Sequence, residues 1–430
     1  MSSSPERVAR IMLSWHALDL VSCTTLQTLW AGYGQICAIT ARAQSTDAAK
    51  NVEKLCGVKS VSGTTGAGAE YPLILKLISP PASSSARKNG REDEGHLRKM
   101  FSYEVEQYFY SDIVPRLGED VAVAKCLAST RDMRGREGES ELSGSMATIM
   151  VDLRPMYPVA GGKRSTLNAV QVQGALDWLA GFHSRSWEVL PKAGGVLEGY
   201  VLPPLEESKR RGENGPKELQ VDGLWLNGGY TYLETRRKEY ASLVEDTDSE
   251  WSEALCAPAD GSSLSIAEKV ALFLTPSGRP FESYIHGDVK SENLFTKTAS
   301  DKVAFFDFQY VGLGLGVCDL AKLFTCSVPL HMLLDEDDDE YVPEELTMRD
   351  GERKLLDWYR AKLLQNQDSG RSYDWDEFKR HWETALVDWL RFQASWGFWG
   401  NTEWLEARVR SILGDQGWRD WLEQSIRGRC

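Results

Sequence analysis

The sequence lacks the features that mark membrane, secreted and metal-cluster proteins. No apolar run approaches the roughly 20 residues of a membrane-spanning helix, and residues 1–7 lack the pattern of a secretory signal. The eight cysteines are scattered without a CxxC pair, which argues against zinc or thioredoxin-type sites and favours reduced thiols. A net positive charge is also lacking, since 63 Asp and Glu residues outnumber 49 Lys and Arg residues and the formal net charge is −14. We therefore expect a cytoplasmic protein with no membrane span and no nucleic-acid partner.

The length and composition are those of a globular protein with more than one core. The chain has 430 residues, of which 42% are hydrophobic and 26% are charged. A single hydrophobic core usually stops growing below this length. The sequence therefore predicts two lobes.

The most informative part of the chain comprises residues 285–295 and 303–309. It places Asp288, Asn293 and Asp307 at the ends of two short apolar segments, which we predict to form a hairpin. Phosphoryl transfer from ATP needs such a trio. One carboxylate orients the attacking hydroxyl and accepts its proton, while an amide oxygen and a second carboxylate hold Mg²⁺ against the phosphates. An isolated Asp or Asn is commonly a turn or cap residue, but this spacing favours the chemical interpretation.

Together with residues 316–321, this motif resembles the aminoglycoside phosphotransferase and choline kinase superfamily, and most of all its CHK-like, or ecdysteroid-kinase-like, branch. The resemblance implies an α+β, bilobal protein-kinase-like fold with a small β-rich N-terminal lobe and a larger, mostly helical C-terminal lobe. It implies transfer of the γ-phosphate of ATP, with Mg²⁺, to a hydroxyl of a small-molecule acceptor. By the same resemblance Asp288 is the catalytic base, and Asn293 and Asp307 are the magnesium ligands.

The resemblance also implies supporting roles around this motif. Asp319 would brace the catalytic loop, His286 would be a hydrogen-bonding scaffold residue, and His183 would be a packed helix residue. The loop is also similar to the Asp-x-Lys-Pro-x-Asn loop of Ser/Thr protein kinases, whose lysine contacts the transferred phosphate. This similarity makes Lys290 a catalytic candidate.

Two alternatives share these residues, namely a Ser/Thr-type protein kinase and a catalytically inactive ATP-binding scaffold. Against a protein kinase, the chain has His-Gly-Asp and Asp-Phe-Gln in place of His-Arg-Asp and Asp-Phe-Gly. Residues 312–316 are predicted to form a Gly-rich turn that leaves no room for a long activation segment. The retained motif residues argue against an inactive scaffold.

The first part of the chain supplies nucleotide-binding candidates. Gly32 and Gly34 lie in a turn between two predicted strands, where backbone N–H groups can approach phosphate, although an ordinary hairpin turn is the alternative. Lys76 lies in a predicted buried strand over residues 71–78. Burying an unpaired ammonium is costly, and in kinases this lysine pairs with the phosphates and with a helix glutamate. Residues 44–70 are predicted to be a polar surface insertion.

The glutamate partner of Lys76 is expected on a helix predicted over residues 96–113. Glu104 and Glu106 are both candidates, but residues two apart on a helix cannot both face the lysine. The Glu-x-x-x-Tyr spacing of the resembled family, which Glu106 and Tyr110 match, favours Glu106.

The resemblance places the adenine against backbone groups around Asp152 and Leu153, in the strand that leads to the hinge. On this basis residues 1–151 are predicted to form the N-terminal lobe. Residues 152–430 are predicted to form the C-terminal lobe, which contains the catalytic region 284–321.

Tryptophan is concentrated after residue 350, in the predicted acceptor region 350–430. A seven-residue spacing predicts one stripe of a helix for Trp375, Trp382, Trp389 and Trp396. Core packing is the ordinary explanation of this stripe. The functional alternative is an aromatic wall for an acceptor, such as a quaternary ammonium bound by cation–π contact. Residues 396–399, at a predicted helix end, are the best acceptor-pocket candidate.

Three further segments give weaker signals. Residues 205–222 are charged and are predicted to be a loop. Residues 225–240 resemble a substrate-side helical segment of the family. The acidic run 335–340 is predicted to be a solvated loop in preference to a cation site.

Overall fold

A computed structural model describes residues 4–81, 87–88, 91–191, 199–213, 223–258, 262–298, 301–335, 341–365 and 372–428. These residues divide into two compact units. Unit 1 is drawn from residues 1–118, 123–156 and 204–223, and unit 2 from residues 119–122, 157–203 and 224–430. No helix in the described part of the chain has the length and apolar character needed to cross a membrane.

The strands are β1 Leu18–Thr28, β2 Gly34–Ala43, β3 Glu70–Ile78, β4 Arg87–Lys88, β5 Arg91–Glu92, β6 Cys126–Ser129, β7 Met146–Val151, β8 Val159–Ala160, β9 Glu282–Ile285, β10 Leu294–Thr296, β11 Val303–Phe305 and β12 Gly312–Leu315. The α-helices are α1 Pro5–Ser14, α2 Thr46–Cys56, α3 Glu94–Tyr108, α4 Glu139–Leu142, α5 Ala169–Val189, α6 Pro204–Glu213, α7 Arg237–Glu245, α8 Ile266–Leu274, α9 Val317–Cys326, α10 Asp350–Gln365, α11 Trp375–Trp396, α12 Thr402–Gly414 and α13 Gln416–Ile426.

Unit 1 is organised by an antiparallel sheet with the strand order β1-β2-β3-β7-β6. Strand β3 lies at its centre, because its long apolar run pairs with β2 on one side and with β7 on the other. The predicted buried strand over residues 71–78 is therefore confirmed. Helix α3 continues into one π-helical turn over Phe109–Ile113, so the predicted helix over residues 96–113 is also confirmed.

Two segments of unit 1 that were predicted to be irregular contain helices. The predicted insertion 44–70 includes α2, which begins after the capping residue Ser45 and ends at Gly57 in the left-handed conformation. Its buried face consists of small side chains such as Ala48 and Ala49, and these give a weak periodic signal. The predicted loop 205–222 begins with α6, a charged helix whose ion pairs stabilise it.

Unit 2 is mostly helical and places its short strands around the predicted catalytic region. Strands β10 and β11 form the predicted hairpin, with Leu294 opposite Phe305, and β8 adds to its edge. Helix α11 covers the tryptophan stripe and buries Trp382 and Trp389 in the core, as the spacing predicted. An α+β chain with a small β-rich part and a larger, mostly helical part is therefore confirmed.

Two predictions about unit 2 were wrong. Residues 312–316 are not a turn, because Gly312–Leu315 pairs with β9 as a strand. Residues 225–240 are not one helical segment. Trp225 bridges Gly312, and an α-helix begins only at Arg237. The glycines allow this close backbone approach, since a Cβ on Gly228 would lie 2.8 Å from the carbonyl carbon of Gly312.

Candidate active site

The loop that carries Asp288 is held by one buried carboxylate. Asp319 accepts hydrogen bonds from the backbone N–H of His286 at 2.6 Å and of Gly287 at 2.9 Å. Burial by itself would raise the pKa of Asp319, but the hydrogen bond from His183 and nearby positive groups outweigh it and lower the pKa. Asp319 therefore braces this loop, as predicted.

His286 is a buried scaffold residue, as expected. Its Nε2 lies 3.0 Å from the carbonyl oxygen of Phe306, and its Nδ1 accepts from the backbone N–H of Asp288 at 3.3 Å. Complete burial lowers the pKa of His286, which agrees with a neutral ring that donates through Nε2. The ring therefore ties the loop to the strand that leads into Asp307.

A buried hydrogen-bond chain supports Asp319 from the helices. His183 on α5 lies 3.2 Å from Asp319 through Nε2 and 2.7 Å from the hydroxyl of Tyr359 through Nδ1. His183 is thus a packed residue with both nitrogens bonded, as predicted. Tyr359 on α10 was not recognised, because nothing in a single amphipathic helix marks the residue that will meet a distant histidine.

Asn293 is oriented by Asp288. Its Nδ2 donates to the Asp288 carbonyl oxygen at 2.8 Å and to Asp288 Oδ2 at 3.1 Å. This leaves the amide oxygen, the atom that a magnesium ion would use, without a hydrogen bond among the described residues. The backbone N–H of Phe306 donates to the Asn293 carbonyl at 3.0 Å. Asn293 and Asp307 therefore lie at the same end of the β10–β11 hairpin.

Asp307 has a backbone conformation that side-chain-bearing residues rarely adopt. Its φ is +66°, and such strain is concentrated at functional sites. Its Oδ1 accepts a hydrogen bond of 2.5 Å from the amide of Gln309. The Asp-Phe-Gln sequence could have indicated this role for Gln309, because the two residues are separated by a single position.

Lys290 lies between two carboxylates. Its Nζ is 3.1 Å from Asp288 Oδ2 and 3.2 Å from Glu292 Oε1. Burial disfavours the charged form, but the two carboxylates outweigh it, so the pKa of Lys290 is raised. Lys290 therefore stays charged next to the candidate base.

Lys76 and Glu106 form a buried ion pair in unit 1, with 2.5 Å between Nζ and Oε2. Glu104 instead pairs with Arg211 of α6 at 2.9 Å. The expectation that Glu106 faces Lys76 is thus confirmed as a contact. Gln107 anchors the same helix to the sheet, because its amide donates to the Ala147 carbonyl at 2.9 Å. Sequence reasoning missed Gln107, because its partner Ala147 lies 40 residues further along the chain.

The other nucleotide-binding candidates of unit 1 lie at two turns. Gly32 and Gly34 have φ of +74° and +142°, and a Cβ on Gly34 would lie 2.1 Å from the Leu77 carbonyl oxygen. Asp152 follows β7, and its Oδ2 accepts a hydrogen bond of 2.6 Å from Arg154 Nη2. Leu153 is buried. The side chain of Asp152 is therefore paired with Arg154. The expected contact with adenine at this position remains one with the backbone.

The aromatic candidates around α11 meet an internal cation. Trp396 and Phe398 are 46% and 44% exposed. The guanidinium of buried Arg236 lies 3.8 Å from the Tyr230 ring centroid and 5.2 Å from that of Trp396. Tyr230 also donates its N–H to the Gly287 carbonyl at 3.2 Å, which places this cluster beside the Asp288 loop. The cation–π contact suggested for a quaternary ammonium is thus already made by Arg236.

A dedicated metal cluster is not found in the described ranges. Those residues contain no group of three or more His, Cys, Asp or Glu side chains placed to hold a metal ion. In the acidic run, Asp335 accepts the backbone N–H of Asp350 at 2.7 Å. Residues 336–340 lie outside the described residues.

The family model of the ecdysteroid kinase-like family matches residues 85–342. Because this match covers more than half of the chain, the protein belongs to the ecdysteroid kinase-like family. No curated protein gives a significant match.

Solved structures of kinases and phosphotransferases resemble the chain at low sequence identity. A choline kinase from Cryptosporidium parvum is 12% identical, over 98% of this chain and 96% of that chain, with a TM-score of 0.42. A macrolide 2'-phosphotransferase from Brachybacterium faecium is 12% identical, over 98% of each chain, with a TM-score of 0.40. An ethanolamine kinase from Plasmodium vivax is 10% identical, over 94% of this chain and 84% of that chain, with a TM-score of 0.38. The family assignment does not depend on these similarities.

Proposed function

We propose that this protein transfers the γ-phosphate of ATP to a hydroxyl group of a small-molecule acceptor. The observation that supports this most is the fixed position of Asp288. Asp319 holds its loop through two backbone N–H groups, and Asn293 and Lys290 both contact its Oδ2. A carboxylate fixed in this way is suited to orient an acceptor hydroxyl and to take its proton as the oxygen attacks.

Asn293 and Asp307 would hold Mg²⁺. The fit rests on their donor atoms, because an amide oxygen and a carboxylate are the hard ligands that Mg²⁺ prefers, and this ion keeps several waters. The hydrogen bond from Gln309 fixes Asp307, and the bonds to Asp288 fix Asn293. When bound, Mg²⁺ neutralises the charge that develops on the phosphates.

Lys76 would contact the nucleotide phosphates while Glu106 holds its ammonium in position. Gly32 and Gly34 would allow the backbone to approach the phosphates closely. Lys290 would contact the transferred phosphate. These roles follow the general arrangement of kinase sites. The aromatic cluster beside the loop supports an acceptor with an apolar surface, and the internal Arg236 disfavours a quaternary ammonium at these rings.

The alternative of a Ser/Thr-type protein kinase is less well supported. Only residues 308–311 separate Asp307 from strand β12. A segment of this length has no room to form a platform for a protein substrate. We therefore favour a small acceptor.

The proposal is tested by Mg²⁺-ATP consumption against a panel of hydroxyl-bearing metabolites, with Asp288→Asn beside the wild type. We expect acceptor-dependent turnover in the wild type, and a loss of about 10²-fold or more in the variant, because a general base contributes about 10²–10⁴-fold. Nucleotide binding should persist in Asp288→Asn. A wild type that binds no nucleotide would refute the proposal.

The ion pair of unit 1 offers a matched control on one helix. Glu106→Gln removes the partner of Lys76, so we expect weaker ATP binding in calorimetry. Glu104→Gln makes the same chemical change two residues away, at a glutamate that pairs with Arg211 and not with Lys76, and should leave ATP affinity unchanged. Equal effects of the two variants would argue against a nucleotide-binding role for the Lys76–Glu106 pair.

A further inference from the structure

Lys99 of α3 is held against the glycine turn of unit 1 by two aromatic rings. Its Nζ lies 4.6 Å from the ring centroid of Trp30 and 4.6 Å from that of Tyr33. The Trp30 side chain is 72% exposed, so it gains little from burial. Tyr33 is itself fixed, because its hydroxyl lies 2.8 Å from His96 Nδ1. The exposed Trp30 ring therefore positions a cation more than it fills a core, whereas Tyr33 is buried in a small hydrophobic cluster with Leu29, Ile78 and Tyr103.

Lys99 shares one face of α3 with the residues of the Lys76 site. Lys99, Tyr103 and Glu106 are separated by four and three residues, which places them on one stripe of the helix. The rings of Tyr103 and Tyr33 are 6.4 Å apart, and Lys76 Nζ lies 5.6 Å from the Tyr103 ring. The Tyr33–Tyr103 pair thus has the ammonium of Lys76 at one end and that of Lys99 at the other.

The two ammonium groups differ in their counter-charge. Lys76 is paired with Glu106, whereas Lys99 has no carboxylate partner among the described residues. The neighbouring cation Arg98 is paired with Glu94 at 3.4 Å. Burial and the nearby Arg98 lower the pKa of Lys99, and Asp93 opposes them. An anion that approached Lys99 would therefore relieve an uncompensated positive charge.

We propose that Lys99 is a second phosphate-binding cation of unit 1, beside Lys76, and that it contacts the phosphate chain of a bound nucleoside triphosphate together with the glycine turn of residues 30–34. This inference rests on the proposed function, because it takes ATP as the ligand. Trp30 and Tyr33 hold the ammonium in place before the nucleotide arrives. Because the lysine side chain is already ordered in the folded protein, nucleotide binding does not bear the entropy cost of ordering it.

The test compares binding of ATP, ADP and adenosine by calorimetry to the wild type, Lys99→Met and Lys99→Arg. A charge-assisted hydrogen bond to phosphate corresponds to about a ten- to hundredfold change in affinity. We expect Lys99→Met to lose that much affinity for ATP while its affinity for adenosine stays the same. Lys99→Arg should recover most of the loss. The methionine can still pack on the two rings, so the turn should keep its shape.

A matched charge change at Lys50→Met, on the exposed side of α2, should leave all three affinities unchanged. If Lys99→Met weakens ATP and adenosine equally, Lys99 only supports the turn and the inference is wrong. Unchanged ATP affinity in Lys99→Met would overturn it as well. Failure of the proposed function is a different result, since the wild type would then bind neither ATP nor ADP.

Discussion

Burial alters the chemistry of single residues far from the candidate site as well as within it. His381 on α11 is buried between Phe273 and Trp421, whose ring centroids lie 5.4 Å and 6.0 Å from its own. Its Nδ1 is hydrogen-bonded to the Tyr373 hydroxyl. Burial, with a smaller effect of Arg279, lowers the pKa of His381 to about 3. The folded protein therefore keeps this ring neutral in mildly acidic solution.

His381 predicts a loss of stability in acid. Below the unfolded-state pKa of about 6.5, His381 binds a proton in the unfolded chain but not in the folded protein. The free energy of unfolding therefore falls as the pH falls. The loss attributable to His381 should be about 2 kcal/mol between pH 7 and pH 5. It is measured by urea denaturation of the wild type and His381→Gln at both pH values. Exposed His331→Gln is the control, and equal pH dependence in wild type and His381→Gln would contradict the prediction.

At the scale of residues, the sequence predicted those positions that belong to a recognisable motif. Asp319 and His286 contact backbone groups 33 and 20 residues away, but both lie in the segments that carry the family resemblance. Tyr359 and Gln107 act through partners far along the chain. Their roles depend on which helix faces which, and a single sequence does not contain that information.

At the scale of elements, helix α5 contains two glycines whose surroundings differ. A Cβ on Gly174 would lie 1.9 Å from the Asp301 carbonyl oxygen, whereas a Cβ on Gly181 would meet nothing within 4 Å. Gly174 is therefore required for the close approach of the chain to α5. Gly181 is a helix residue without such a contact.

This contrast predicts opposite effects of two alanine substitutions in α5. Gly181→Ala should raise the free energy of unfolding by about 0.5–1 kcal/mol, because alanine loses less conformational freedom in a helix. Gly174→Ala should lower it by about 1–3 kcal/mol, because the backbone near Asp301 must move. Thermal unfolding followed by circular dichroism measures both. A stabilising Gly174→Ala would contradict the packing described here.

Elements with large apolar residues were predictable, and elements built from small or charged residues were not. Strand β3 and helix α8 follow from long apolar patterns with clear ends. Helix α2 buries alanines, and α6 depends on ion pairs, so neither has the apolar pattern that predicts a helix. The glycines of β12 suggested a turn, but Gly312 allows the close approach of Trp225 and Gly228, and Gly314 leaves room for the side chain of Ile285.

At the scale of the whole molecule, the metal should act only together with the nucleotide. We expect Mg²⁺ alone to leave the melting temperature unchanged, because the described residues hold no cluster of three or more potential ligands. Mg²⁺-ATP at about 100 times its Kd should add about 2.7 kcal/mol of stability. Differential scanning fluorimetry measures this, with Asp307→Asn as the variant that should lose the Mg²⁺-dependent part. A large shift with Mg²⁺ alone would instead indicate a separate metal site.

The four residues between Asp307 and β12 also bear on how such a protein would be controlled. Many kinases switch by adding a phosphate to a long segment that follows this aspartate. Here the chain enters a buried strand almost at once, so there is no loop at this point for a modifying enzyme to reach. Phosphorylation of an activation segment is therefore not expected to control this protein.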